Sequence, residues 1–245
     1  MSAAPAGRLA ATAVDAARPV SSVAWTRVED ELETAGCAVL GNLLSPAECR
    51  GISAMYGDDA RFRSRVVMSR HGFGRGEYKY FGYPLPPLVR ELRPILYERL
   101  VRVANRWSEA LREPVRFPET HAEFLERCRA AGQTRPTPLL LRYGPGDYNC
   151  LHQDLYGAIA FPLQMTVLLN DDFEGGEIVL VEQRPRAQSR ATAIRLATGD
   201  AVVIPNRHRP VRGTRGTYRV TTRHGVSTIR RGRRMTLGII FHDAE

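Results

Sequence analysis

The chain has 245 residues, of which 43% are hydrophobic and 25% are charged, a balance that excludes a protein disordered throughout. No run approaches the roughly 18 consecutive apolar residues of a transmembrane helix, so we expect no membrane span. The four cysteines form no C-x-x-C pair, which predicts reduced thiols and a cytoplasmic location rather than a disulfide framework or a zinc site.

The first residues of the chain predict a flexible tail. Residues 1–24 are rich in alanine and show no hydrophobic periodicity. Arg8, Asp15 and Arg18 interrupt this stretch, so it lacks the apolar core of a secretory signal.

Residues 25–133 predict a mainly helical support region. A short amphipathic pattern covers residues 25–35, and a brief apolar strand is expected at 38–40. Residues 45–48 (SPAE) are a strong helix start, with serine as the cap and proline in the first turn. Apolar residues at helical spacing predict a long helix over 92–111.

A glycine-rich segment, residues 72–76 (GFGRG), precedes Tyr78, Tyr80 and Phe81. It resembles a phosphate-binding loop only superficially, because no strand precedes it and no helix starts at it. Two interpretations stay open for residues 72–83. They form a lid whose aromatic residues stack on a planar substrate, or the aromatics belong to the core.

From residue 134 onward the pattern changes to short β-branched runs separated by turn residues. Seven strands are predicted, over 138–143, 163–169, 176–182, 191–196, 201–205, 216–223 and 235–241. This spacing favours a β-sandwich or jelly roll, so the fold class is α+β, with a β core over residues 134–245.

The most informative motif is His152-x-Asp154. Side chains alternate along an extended chain, so both point to one face and can bind one metal ion. His224 is the best third ligand, because two histidines and one carboxylate form the facial triad of non-haem Fe(II) oxygenases. His208 is the competing candidate, but Arg207 and Arg209 flank it and no arginine follows it at the matching distance.

Arg234 follows His224 by ten residues, at the start of an apolar strand. A guanidinium there can pair in bidentate fashion with a carboxylate that reaches the metal from the far side. The spacing therefore suits a dicarboxylate chelator, with a 2-oxo acid on the metal and the distal carboxylate on Arg234.

These segments resemble the 2-oxoglutarate- and Fe(II)-dependent dioxygenases in order and spacing. The matching segments are 143–147 (YGPGD), 152–154 (HQD), 168–177 (LLNDDFEGGE), 199–205 (GDAVVIP) and 224–234 (HGVSTIRRGRR). The resemblance implies a double-stranded β-helix, or jelly roll, with N-terminal helices packed on it. It assigns the metal to His152, Asp154 and His224, and 2-oxoglutarate to Arg234 with a weaker contribution from Tyr143.

The same resemblance implies an activity and its cofactors. A substrate C–H bond is hydroxylated with Fe(II), 2-oxoglutarate and O2, succinate and CO2 are formed, and ascorbate serves as reductant. If the hydroxylated carbon is an N-methyl group, formaldehyde leaves and the reaction is a demethylation.

The positive charge is concentrated in residues 184–234, where fourteen arginines and one acid give +13, against +9 for the whole chain. Such a stretch attracts phosphate or an acidic partner, or is simply a solvated basic face. Residues 182–190 and 208–219 resemble a bacterial oxygenase family linked to oxidative demethylation of damaged nucleic acid. Nucleic acid is therefore the first predicted partner.

Two other functions stay open. Residues 36–48 resemble the lead-in of prolyl hydroxylases, which makes a protein or peptide hydroxylase the alternative. A metal-binding jelly-roll module without turnover is the third hypothesis. Outside the triad, His242 is expected to be structural or exposed, His71 and His121 to lie on the surface, and Cys150 to be an inert thiol.

Overall fold

The computed structural model describes residues 20–214 and 216–245. Most of the predicted tail, residues 1–19, lies outside the described residues. At the start of the described part, Val20 is buried against the main hydrophobic core.

Four helices lie wholly within the described residues: α1 (Trp25–Thr34), α2 (Pro46–Ala54), α3 (Pro87–Ala110) and α4 (His121–Ala130). Helix α2 starts with a capping box, in which the Ser45 hydroxyl accepts from the Glu48 amide and the Glu48 carboxylate accepts from the Ser45 amide. The predicted long helix begins at Pro87, five residues before its first recognised apolar position. Helix α4, whose start is capped by the Thr120 hydroxyl, was not predicted.

The strands form most of the second half of the chain. They are β1 (Ala38–Leu40), β2 (Phe62–Val67), β3 (Gly74–Arg75), β4 (Glu77–Phe81), β5 (Leu139–Tyr143), β6 (Tyr148–His152), β7 (Leu163–Leu168), β8 (Phe173–Gly175), β9 (Ile178–Gln183), β10 (Arg190–Ile194), β11 (Ala201–Pro205), β12 (His208–Gly213), β13 (Gly216–Val226), β14 (Ile229–Gly232) and β15 (Arg234–Ile240). Each of the seven predicted strands is present within three residues of its predicted bounds.

Two antiparallel sheets carry the fold. The larger sheet has the order β1-β11-β7-β15-β5-β4-β2, and the smaller has the order β10-β9-β13-β6-β3, with β12 also paired to β13. Strands β8 and β14 pair only with each other and form a separate two-stranded ribbon. The predicted support region, residues 25–133, thus also contains strands, because β4 and β2 extend the larger sheet past β5.

Strand β15 shows how the larger sheet separates core from site. Alternate side chains of a strand point to opposite faces. One face packs into the main core with the helices, through Leu237 and Ile239, with Phe241 just beyond the strand. The other face lines an internal cavity, through Arg234, Thr236, Gly238 and Ile240.

One of the fourteen arginines of the basic stretch is buried inside the protein and has a structural role. Arg209 on β12 is 1% exposed and donates from Nε to the carboxylate of Glu182 on β9, itself 6% exposed. Its Nη1 also donates to the Glu33 carbonyl of α1, at 3.2 Å. This guanidinium therefore joins the smaller sheet to the first helix.

Removing the partner of Arg209 should destabilise the fold. We expect Glu182→Ala to lower the free energy of unfolding by about 3–5 kcal/mol, because a buried cation loses its counter-charge. Glu113→Ala is the matched control. It breaks the exposed Arg219–Glu113 pair, which should cost about 1 kcal/mol or less. Chemical denaturation followed by circular dichroism measures both, and equal small losses would contradict a structural role for Arg209.

Candidate metal centre and adjoining cavity

His152, Asp154 and His224 come together at the centre of the cavity. His152 ends β6 and lies directly opposite His224 on β13, so the strand register makes the two imidazoles neighbours. Their ring centroids are 4.3 Å apart. Asp154 follows β6 by two residues, and one ligand atom from each residue lies within 4.8 Å of the others.

The carboxylate of Asp154 contacts both imidazoles, with one oxygen close to each ring. Its Oδ1 lies 3.5 Å from His152 Nε2, and its Oδ2 lies 3.1 Å from His224 Nε2. Two imidazole nitrogens and one carboxylate around one point are the donor set of an Fe(II) facial triad, which leaves positions open for other ligands.

Hydrogen bonds from neighbouring residues orient these ligands. His152 Nδ1 lies 2.8 Å from the Cys150 carbonyl, which directs the proton to Nδ1 and leaves the Nε2 lone pair for a metal. Tyr156 Oη donates to Asp154 Oδ1 at 2.6 Å, and Gln164 Nε2 donates to Asp154 Oδ2 at 2.8 Å. No sequence pattern predicted a role for Gln164 or Tyr156.

The protonation states also suit a metal. Burial, with the nearby His224, lowers the pKa of His152 and favours the neutral ring. Burial acts to raise the pKa of Asp154, but the hydrogen bonds and charges around it outweigh that effect and hold the pKa well below its usual range. A neutral imidazole and an ionised carboxylate are the forms that bind metal ions.

Arg234 and Tyr143 lie in the same cavity, whose volume is about 310 Å³. The two residues are directly paired across β15 and β5. Arg234 is 2% exposed, and burial lowers its pKa to about 10, so it still carries its charge at neutral pH. Of the described residues lining this cavity, Arg234 alone carries a guanidinium.

Both side chains have unmet hydrogen-bonding capacity. Within the described part of the chain, Arg234 Nε and the Tyr143 hydroxyl are buried without a hydrogen-bond partner. The Asn149 amide acts on the pKa of Tyr143 but lies outside ordinary hydrogen-bond geometry. A buried cation and a buried hydroxyl without partners fit a carboxylate-bearing ligand that reaches them from the metal centre.

The remaining histidines lie outside the metal cluster. His208 is half-buried on β12 and does not join the cluster. His242 is fully buried and its Nδ1 accepts from the Phe161 amide at 3.2 Å, which is the structural role expected for it. The expectation that His121 lies on the surface is wrong. His121 is 4% exposed and packs on Tyr97. The prediction failed because helix α4, which begins at His121 and buries it, was not recognised.

The glycine-rich segment is part of the smaller sheet. Gly74 and Arg75 pair with β6 as its edge strand. Of the aromatic residues that follow, Tyr80 and Phe81 are buried in the core, whereas Tyr78 lines the cavity. The core interpretation therefore holds for Tyr80 and Phe81, and the lid interpretation of residues 72–83 stays a prediction.

Apart from Arg234, which lines the cavity, the described arginines of the basic stretch lie outside the cavity lining, and most of them form exposed surface. Arg215 lies outside the described residues, Arg209 and Arg234 are buried, and Arg184 is partly exposed. The exposed members are Arg186, Arg190, Arg195, Arg207, Arg212, Arg219, Arg223, Arg230, Arg231 and Arg233.

Part of this surface adjoins the metal centre. Thr221 pairs with both Gln183 and His208, so the end of β9 and the start of β12 lie on either side of the middle of β13. Gln153, which lies between two metal-ligand candidates, donates to the Thr222 carbonyl at 2.8 Å and approaches the Arg207 carbonyl at 3.4 Å. Through Gln153, which lines the cavity, the backbone of the exposed Arg207 therefore lies close to the metal-ligand candidates.

Comparison with known proteins supports the fold. A Pseudomonas putida prolyl-4-hydroxylase is similar with a TM-score of 0.54 and 15% identity, covering 90% of this chain and 100% of that chain. A Burkholderia pseudomallei oxidoreductase of the 2OG-Fe(II) oxygenase family gives a TM-score of 0.53 and 16% identity, covering 91% and 93%. The predicted fold class, a jelly roll with supporting helices, is confirmed, although the two sheets do not close.

The sequence comparison defines the family. Residues 76–244 match the profile of Oxygenase-NA, described as an oxygenase catalysing oxidative methylation of damaged DNA. The protein is thus an oxidoreductase with the fold of the 2-oxoglutarate/Fe(II) oxygenases. It belongs to the Oxygenase-NA family. Rv2227 of Mycobacterium tuberculosis strain H37Rv, an uncharacterised protein, is 48% identical over 167 residues, which cover 67% of this chain and 72% of that protein.

All four cysteines are free thiols, and Cys150 is half-buried at the cavity wall. No described helix combines the length and the apolar character needed to cross a bilayer.

Proposed function

We propose that this protein is an Fe(II)- and 2-oxoglutarate-dependent dioxygenase that hydroxylates a C–H bond of N-alkylated bases in nucleic acid. One observation carries the catalytic part. The triad of His152, Asp154 and His224 shares a cavity with the buried, unpaired guanidinium of Arg234.

Each residue has a defined part in this proposal. The triad holds Fe(II), which when bound activates O2 at the expense of 2-oxoglutarate and releases succinate and CO2. Arg234 pairs with the distal carboxylate of 2-oxoglutarate, and the Tyr143 hydroxyl donates a further hydrogen bond. Burial raises the pKa of Tyr143, so this hydroxyl keeps its proton. Gln164 and Tyr156 hold the Asp154 carboxylate in one orientation.

The substrate class rests on the family description and on the charge distribution. The family profile names damaged DNA as the substrate, and the exposed arginines of the basic stretch, with Arg207 beside Gln153, offer charge for a phosphate backbone. Hydroxylation of an N-methyl carbon gives an N-hydroxymethyl group, which breaks down to formaldehyde and the free base nitrogen. The proposed reaction is therefore a demethylation. One oxygen atom of O2 ends in succinate and the other in formaldehyde.

The test is the formation of succinate by the full chain with Fe(II), 2-oxoglutarate and ascorbate. Parallel reactions contain a methylated single-stranded oligonucleotide, its unmethylated counterpart, a proline-rich peptide, or no substrate. We expect the methylated strand alone to stimulate succinate formation, with formaldehyde released in equal amount.

The other outcomes distinguish the alternatives. Stimulation by the peptide without formaldehyde would replace the nucleic-acid substrate with a protein substrate. Slow succinate formation, equal in every reaction, would support the oxygenase activity and would exclude both the nucleic-acid and the peptide substrate. Iron binding with no succinate in any reaction would favour a metal-binding module without turnover.

A further inference from the structure

An exposed aromatic side chain stands at the cavity entrance. Phe73 lines the cavity although 48% of its surface is exposed, which is unusual for a phenylalanine. Its ring stacks on the exposed His71, with centroids 5.3 Å apart and an interplanar angle of 24°. The pair presents exposed aromatic ring surface at the edge of the cavity that holds the metal-ligand candidates.

The backbone under this aromatic pair is fixed. The Phe73 carbonyl accepts from the Cys150 amide at 2.9 Å, and the Phe73 amide donates to the Met68 carbonyl at 3.2 Å. Gly74 has φ +120°, and a Cβ there would lie 2.4 Å from the Tyr148 carbonyl oxygen, so this close approach requires glycine. The ring position is thus tied to β6, the strand that carries His152.

The charges around the pair are positive and unpaired. Arg70 and Arg75 flank it, both exposed, and within the described residues neither forms an ion pair. The carboxylate of Glu77, close in sequence, is already bound by Arg65 and Arg142. An aromatic platform beside free guanidinium groups is the combination that binds unpaired bases together with their phosphates.

We infer that Phe73 positions the substrate by stacking on the base next to the one that enters the cavity, and that the strand bound here is single-stranded. The inference rests on the proposed function and adds to it the binding residue and the strand state. A single strand presents its base faces freely, whereas a duplex must first be unstacked and unpaired at the target base, which favours the single strand.

The experiment compares Phe73→Ala and Phe73→Trp with Val115→Ala. Val115 is similarly exposed, at 47%, and does not line the cavity. Binding of a short fluorescein-labelled deoxythymidine strand to the full chain is measured by fluorescence anisotropy. The KM and kcat for a methylated strand are measured in parallel, and thermal melting confirms that each variant is folded.

We expect Phe73→Ala to raise the Kd and the KM roughly tenfold, with a smaller effect on kcat, because the stacking contribution is lost. Phe73→Trp should restore binding, since a larger ring offers the same face. Val115→Ala should match the wild type.

The outcomes separate this inference from the proposed function. If the wild type binds the strand and Phe73→Ala binds equally well, the stacking role is wrong and the proposed substrate stands. If Phe73→Ala weakens binding but methylated strands release no formaldehyde, the stacking role stands and the demethylation is wrong. If the wild type binds no strand, both are overturned.

Discussion

Asp154→Ala is expected to abolish metal binding and turnover in the full chain, and His152→Ala is expected to do the same. Asp154 lies between both imidazoles and receives hydrogen bonds from Tyr156 and Gln164. Loss of an outer-shell partner commonly costs 10–100-fold in metal affinity, so loss of a ligand should cost more than about 100-fold. Asp154→Asn keeps the shape, removes the charge and should also fail to support turnover.

His208→Ala is the matched control, because His208 is the competing ligand candidate and lies outside the cluster. Titration with Fe(II) under anaerobic conditions and succinate formation are the two measurements. The His208 variant should bind iron as the wild type does. An active Asp154 variant, or a His208 variant that loses iron, would overturn the assignment of the triad.

Part of this site could be predicted from the residues because its signals are local or lie at fixed intervals. The pair His152-x-Asp154 needs only an extended chain, and the interval from His224 to Arg234 is a sequence property. The structure places all four residues, with Tyr143, in one cavity.

Gln164 and Tyr156 could not be predicted in the same way. Gln164 is one polar residue at the start of an apolar strand, and such residues more often face solvent. It reaches Asp154 only because β7 pairs with β15 in one particular register, which a single sequence does not specify. Tyr156 follows Asp154 in an irregular segment, where no periodicity fixes the direction of a side chain.

The fold shows the same division between local and long-range information. Runs of β-branched residues between turn signals identified the seven main strands, and capping residues identified α2. Strands β2 and β4 were missed because the charged residues Arg63, Arg65 and Lys79 make both segments much less hydrophobic than the strands of the second half. Lys79 is nevertheless buried, with its Nζ on the Tyr56 carbonyl at 2.8 Å. Because of this buried lysine, the sequence of an interior strand resembles that of a polar surface segment.

Arg234→Ala is expected to raise the KM for 2-oxoglutarate roughly 100-fold while Fe(II) still binds. Two charge-assisted hydrogen bonds to a carboxylate contribute about 3 kcal/mol or more, which corresponds to that factor. The effect should fall on the co-substrate, because no described metal-ligand candidate bonds to Arg234. Tyr143→Phe removes one neutral hydrogen bond and should raise the same KM by only about fivefold.

Arg233→Ala is the control, since Arg233 is the adjacent residue and its side chain is exposed. Succinate formation is titrated with 2-oxoglutarate at saturating Fe(II), and thermal melting checks that each variant is folded. Arg234→Lys should recover part of the affinity, because a lysine keeps the charge but cannot form the bidentate pair. An unchanged KM in Arg234→Ala would mean that the co-substrate carboxylate binds elsewhere. The buried guanidinium would then serve packing between Tyr143 and Phe173, whose rings lie 5.7 and 6.0 Å from it.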